Sequence, residues 1–108
     1  MKVDRIRAVI RSALGLYPTL DLHGLGVREA LRETEMFIRD ARSAGDAAVR
    51  VVYGKGRGSP RGQGVLRHVI PRWLDGDGAC LIERYERRLD HSGADGSVVV
   101  WLRAEQDD

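Results

Sequence analysis

Between Val27 and Ser43 the apolar or small positions Val27, Ala30, Leu31, Thr34, Phe37, Ile38 and Ala41 recur at intervals of three and four. That spacing lines one face of an α-helix, and Arg28, Glu29, Arg32, Glu33, Glu35, Arg39 and Arg42 fill the other. Gly26 stands where an N-cap belongs, and Gly45 where a C′ glycine closes a helix. Short runs of strand character flank this helix. Thr19-Leu20-Asp21-Leu22-His23 alternates polar with apolar, and Val49-Arg50-Val51-Val52-Tyr53 is rich in β-branched residues. A strand, a helix and a strand joined by short connections form a right-handed crossover with parallel strands. The C-terminal ends of both strands then meet at one edge of the sheet, which brings Asp21 and His23 beside the segment that leaves Tyr53.

That segment, Gly54 to Gly64, has five glycines in eleven residues and reads as a loop. Val65 to Leu74 returns to helical spacing through Val65, Leu66, Val69, Ile70, Trp73 and Leu74, with Pro71 expected to remove one backbone bond and kink the helix. Asp75 to Gly78 is a turn. Ala79 to Tyr85 and Ser97 to Leu102 are predicted strands, the second nearly all apolar as in a strand buried on both faces. The predicted class is α/β: a two-layer sandwich in the order βαβαββ, with a four-stranded mixed sheet, two helices and a short N-terminal helix. The expected divisions are a helical segment over 1–18, one domain over 19–104 and an acidic tail over 105–108. Val3, Ile6, Ile10, Ala13 and Leu14 among arginines also fit the pattern of an amphipathic transit peptide, but the stops at Gly15 and Pro18 favour a helix packed on the domain.

A chain of 108 residues holds one domain of ordinary size, which excludes a two-domain enzyme. No stretch approaches the roughly 18 apolar residues of a membrane span, so no membrane partner is expected. Cys80 is the single cysteine. It excludes an internal disulfide and is expected as a small buried hydrophobe in a cytoplasmic, reducing setting. The net charge of +2 conceals a strong polarity. From Ala47 to Leu74 there are six cations, Arg50, Lys55, Arg57, Arg61, Arg67 and Arg72, and no acid, which leaves the remainder of the chain at −4. Sixteen of the eighteen basic residues are arginine, whose planar fork suits bidentate phosphate contacts. GC-rich coding also produces arginine-rich chains, but it does not explain an acid-free cluster. A polyanionic partner is the expectation.

Two groups of residues carry chemistry. Asp21 and His23 are two apart on a predicted strand and share a face opposite Leu20 and Leu22. A carboxylate beside an imidazole orients it and stabilises its charged form, as general acid or base catalysis near neutral pH requires. The same four residues, Asp21-Leu22-His23-Gly24, also suit a strand end whose polar groups cap a turn. In the second group, Gly54-Lys55-Gly56-Arg57 offers backbone N–H groups and two cations to a phosphate, with Arg61 close behind in the chain. The absence of nearby acid favours that reading over a plain surface connection. Neither a P-loop nor a dinucleotide fingerprint is present. His23, His68 and His91 lack zinc-site spacing, so no resident metal is expected, although Asp21 with a substrate phosphate is able to hold Mg²⁺ or Mn²⁺. His68 is expected at the surface. Trp73 and Trp101 are expected in the core, and Tyr53, next to the glycine loop, is the aromatic expected to be exposed for base stacking.

Taken together, Leu20-Asp21-Leu22-His23-Gly24, the helix with Glu29-Ala30, the strand ending in Gly54-Lys55-Gly56, Val65-Leu66-Arg67 through Trp73-Leu74, and the glycine-containing turn before Val98-Val99-Val100 resemble the small MutS-related (Smr) domain over about Leu20 to Arg103. The resemblance implies a stand-alone bacterial-type Smr protein with the βαβαββ fold. It also implies endonuclease activity, as DNA nicking or RNA cleavage, with Asp21 and His23 in the first motif and Gly54 and Gly56 in the second. Tyr53 stands where the family usually has His or Thr, and Gly93-Ala94-Asp95-Gly96 lacks one glycine of a later turn, with His91 before it. The expected partner is DNA or RNA. The alternatives are a non-catalytic module that recognises structured nucleic acid or ribosomes, and a protein-interaction domain whose basic window meets an acidic partner.

Overall fold

The stripe of apolar residues forms helix α1, Val27–Ala44, in the computed structural model, which describes residues 16–53, 63–89 and 95–105. Gly26 supplies the extended N-cap at φ −74° and ψ 170°, and Gly45 closes the helix in the left-handed region at φ 85°. Only glycine adopts that backbone without a steric penalty. Ala30, Thr34, Ile38 and Ala41 are buried along one row. The buried Thr34 hydroxyl donates to the Ala30 carbonyl at 2.7 Å, so it carries no unsatisfied donor into the core.

Strands β1 (Thr19–Asp21), β2 (Ala48–Val52), β3 (Ile82–Leu89) and β4 (Asp95–Leu102) form one sheet in the order β1-β2-β4-β3. β1 and β2 are parallel, as the crossover demands, and β4 runs antiparallel to β2 and β3. Helix α2, Gln63–Asp75, continues through the buried Pro71. Both helices lie on one face of the sheet. There Leu22, Val49, Val51, Tyr53, Val98 and Val100 meet Ala30, Ile38, Leu66, Ile70 and Leu74 in a single core. Each fully buried aliphatic side chain of this kind contributes about 1.5–3 kcal/mol.

Several expectations change. β1 ends at Asp21 and leaves His23 in a turn. The segment from Ala79 starts not as a strand but as a 3-10 turn, Ala79–Leu81, because Leu81 N–H folds back to the Gly78 carbonyl at 3.0 Å. Leu81 takes the inward position on that turn and Cys80 faces solvent, so the cysteine is not a core residue. The expected N-terminal helix falls outside the described residues up to residue 15, and Leu16 to Pro18 are not helical.

The second face of the sheet carries no helix among the described residues. Strand register places three cross-strand rows on it. The row nearest the C-terminal end of β1 is Asp21, Val52, Ser97 and Arg88, and the next is Thr19, Arg50, Val99 and Glu86. The third is Ala48, Trp101 and Arg84, with Tyr17 alongside because the Pro18 carbonyl still accepts from Arg50 N–H at 2.8 Å. Ala48 and Val99 are buried but stand apart from the main core. Trp101, expected in that core, lies instead half-buried on this second face, where the Arg84 guanidinium sits 3.7 Å from its ring centroid and Tyr17 meets it edge-on at 6.5 Å.

Candidate functional site

The site begins where the parallel pair β1 and β2 runs out. Asp21 is the register partner of Val52, and Leu22 N–H adds one further ladder bond to the Val52 carbonyl at 2.8 Å. The chain then turns. His23 N–H donates to Asp21 Oδ1 at 2.9 Å, Leu25 N–H reaches back to the Leu22 carbonyl at 3.0 Å, and Gly24 takes φ 85°. An aspartate that accepts from the backbone two residues on is a recurrent turn former. Leu22 is wholly buried, whereas Asp21 and His23 are exposed on either side of it. The apolar residue therefore anchors the turn and the two polar ones face solvent. The carboxylate orients the backbone of His23, not its imidazole, so the capping role and the exposure of a potential acid–base pair are both present in one turn.

Tyr53 lies at the end of β2, and its ring is 0% exposed. The expectation of an exposed ring available to stack on a base is corrected. The period-two alternation that buries Val49 and Val51 also turns Tyr53 inward. Its N–H donates to the Gly96 carbonyl at 3.1 Å and its hydroxyl to the Ser97 carbonyl at 3.3 Å. These bonds pin the exit of β2 against the start of β4. Gly54, Lys55, Gly56, Arg57 and Arg61 lie outside the described residues, as do His91, Gly93 and Ala94. The topology still fixes where their segments attach: the exit after Tyr53, the end of β3 at Leu89 and the start of β4 at Asp95 all fall at the Asp21 end of the sheet.

The N-termini of α1 and α2 also face this end, since each helix comes after a parallel strand. The N-terminal end of a helix carries a partial positive charge, so both helices make this edge electropositive. α2 has no acid in its first turn, and α1 has Glu29. His68 is exposed, as expected. Among the described residues no three His, Cys, Asp or Glu side chains converge as metal ligands. A hollow of about 270 Å³ lies at the opposite end of the sheet, between Arg42, Asp46, Glu83, Trp101 and Arg103. Arg50 belongs to the acid-free cationic window, but motif and charge patterns do not single out Arg84 and Trp101 on the helix-free face. The alternation of Arg84, Glu86 and Arg88 along β3 is the signal in the sequence that points to them.

No helix among the described residues is long and apolar enough to cross a membrane. The family model for the Smr domain matches residues 20–103. The chain is 35% identical over 94 residues to Endonuclease MutS2 of Symbiobacterium thermophilum, an alignment that covers 87% of this chain and 11% of that protein. The chain thus spans about a tenth of the length of the curated relatives it matches. Among solved structures, the Smr domain of Thermus thermophilus MutS2 superposes with a TM-score of 0.65 at 34% identity, covering 80% of this chain and 98% of that one. YdaL, a stand-alone small MutS-related protein from Escherichia coli, superposes with a TM-score of 0.68 at 28% identity, covering 89% and 74%.

Proposed function

The chain belongs to the Smr domain family, and on that premise we propose that it is a nucleic-acid endonuclease whose chemistry is centred on Asp21 and His23. The observation that carries this reading is the turn in which a buried Leu22 holds two exposed polar neighbours at the electropositive end of the sheet, next to the departure of the Gly54-Lys55-Gly56 segment. The relatives named as endonucleases support it. Lys55, Arg57, Arg61 and the Gly54 and Gly56 amides are assigned to the phosphate, where fixed donors stabilise developing negative charge.

With RNA, the His23 imidazole takes the proton of a 2′-hydroxyl, the resulting oxygen attacks phosphorus, and the P–O5′ bond breaks as the leaving oxygen gains a proton. The products are a cyclic phosphate and a 5′-hydroxyl. With DNA, water would have to replace the 2′-hydroxyl as nucleophile; Asp21 is the residue that would hold a divalent ion together with the substrate phosphate, and such an ion would supply Lewis-acid activation of that water. Asp21 has a prior commitment, because its Oδ1 accepts from the His23 amide. Because the carboxylate thereby orients the His23 backbone and not the imidazole, the turn also suits a second reading, a module that binds nucleic acid without cutting it.

End-labelled single-stranded RNA and supercoiled plasmid, each incubated with Mg²⁺, Mn²⁺ or chelator, separate the two readings. The wild type is expected to cleave one substrate, and the Asp21→Ala, His23→Ala double variant to bind it without cleavage. Binding without cleavage by both proteins, on every substrate and ion, leaves only the binding module.

A further inference from the structure

The helix-free face of the sheet has the composition of a contact surface more than of an ordinary solvated face. Its three rows hold Arg50, Arg84 and Arg88 against two acids, Asp21 and Glu86. Arg84 and Arg88 both approach Glu86, at 2.6 and 3.1 Å, which fixes their forks across the face. The Arg84 guanidinium lies over the Trp101 ring, and Tyr17 braces that ring edge-on. Arg50, in the middle row, has a buried Nε with no hydrogen-bond partner among the described residues. Native structures leave few buried donors unsatisfied, and a bound water or ion is one explanation of such an exception. Asp21, which the proposed function places at the reacting phosphate, stands on this same face.

We infer that this face is the track on which a single-stranded nucleic acid lies after it leaves the Asp21 end, with one base stacked on the outward plane of Arg84. The inference rests on the proposed nucleic-acid function and names the form of nucleic acid that fits it. Trp101, Arg84 and the base form one stack, in which the tryptophan keeps the guanidinium flat and the guanidinium presents a planar cation to the base. Rows on one face of a sheet are about 6.8 Å apart along the strands and neighbouring strands about 4.8 Å apart, so Arg84 on β3, two rows along and three strands across from Asp21 on β1, lies roughly 20 Å from it. Arg50, in the row between, is placed to meet the backbone phosphate between base and scissile bond. Paired bases in a duplex do not offer a free face to such a platform, which makes single-stranded substrate the preferred form.

Fluorescence anisotropy with short labelled single-stranded RNA, single-stranded DNA and the matching duplex tests the assignment. Arg84→Lys keeps the positive charge near Glu86 but removes the plane, at a position whose side chain is 56% exposed, so folding should be unaffected and circular dichroism checks it. Single-strand affinity is expected to fall by about tenfold in Arg84→Lys and in Arg84→Ala, with the duplex affected less. Binding is also expected to quench tryptophan fluorescence in the wild type but not in Trp101→Phe, since Trp73 sits on the helical layer and is the internal reference. The RNA and DNA arms show which strand the track prefers. Wild-type affinity in both Arg84 variants overturns the track alone and leaves the endonuclease reading standing. No binding of any nucleic acid by the wild type overturns both.

Discussion

The two faces of the sheet are made by alternate residues of the same four strands, yet they have little in common. Toward the helices, Leu22, Val49, Val51, Val98 and Val100 are fully buried with Tyr53 among them. On the other side Asp21, Arg50, Arg84, Glu86, Arg88 and Trp101 share the register positions with Thr19, Ser97 and Val52 and with the buried Ala48 and Val99. One face supplies stability through apolar area removed from water. The other supplies charge, planar side chains and the candidate carboxylate. Neighbours in the sequence therefore do different jobs, and substitutions one residue apart are expected to separate folding from function.

The adjacent pair Leu22 and Asp21 gives the largest contrast. Leu22→Ala is expected to lower stability by about 2–5 kcal/mol in urea denaturation, the cost of lost transfer energy plus a cavity. Asp21→Ala is expected to cost about 1 kcal/mol through the lost turn bond, while cleavage disappears. Equal losses of stability would break the division between faces. Gly24→Ala comes next. Nothing lies within 4 Å of the added carbon, so the cost is that of a non-glycine residue at φ 85°, about 1–2 kcal/mol. The turn that positions His23 should distort, and cleavage should fall further than stability alone explains.

Tyr53→Phe sharpens the comparison on the core side. It removes the bond to the Ser97 carbonyl and is expected to cost about 1 kcal/mol in thermal denaturation, with nucleic-acid affinity unchanged. Weaker binding at unchanged stability would mean that the ring meets substrate. Tyr85 gives the smallest effect. Burial first, and then the hydrogen bond to Asp75 at 2.9 Å, raise its pKa above the ordinary 10.0. The unfolded phenol ionises first, so this contribution to stability is intact below pH 10 and is lost as pH rises through the folded value. Comparing denaturation midpoints at about pH 9 and about pH 11 should show a smaller alkaline loss in Tyr85→Phe than in the wild type.

Much of the architecture is legible in the chain because local signals agree. The α1 stripe, its two glycine ends and the β-branched β2 all point to one crossover, and the structure has it. Where local signals compete, the structure departs from the expectation. Alternation alone carries β1 on to His23, but the Asp21 side chain accepts the His23 amide and ends the strand first. Tyr53 borders a glycine loop, which suggests exposure, yet its parity with Val49 and Val51 turns it inward. Trp101 sits in an apolar run, which suggests core, but a nearly continuous apolar strand shows no sign of which face each residue takes. Only pairing with β2 and β3 places it opposite Ala48 and Arg84. At the site, the motif residues Asp21 and His23 are visible in sequence, whereas the bond between carboxylate and backbone requires coordinates.

If the division holds at the turn itself, the two exposed residues act in chemistry and the buried one between them does not. Single-turnover cleavage of the preferred substrate by His23→Ala, Asp21→Ala and wild type, with affinity measured on the same samples, separates these roles. Cleavage is expected to fall by at least about a hundredfold in His23→Ala, as removal of a general acid–base requires, with affinity near that of the wild type. Cleavage retained in His23→Ala, with all three proteins binding alike, would contradict it.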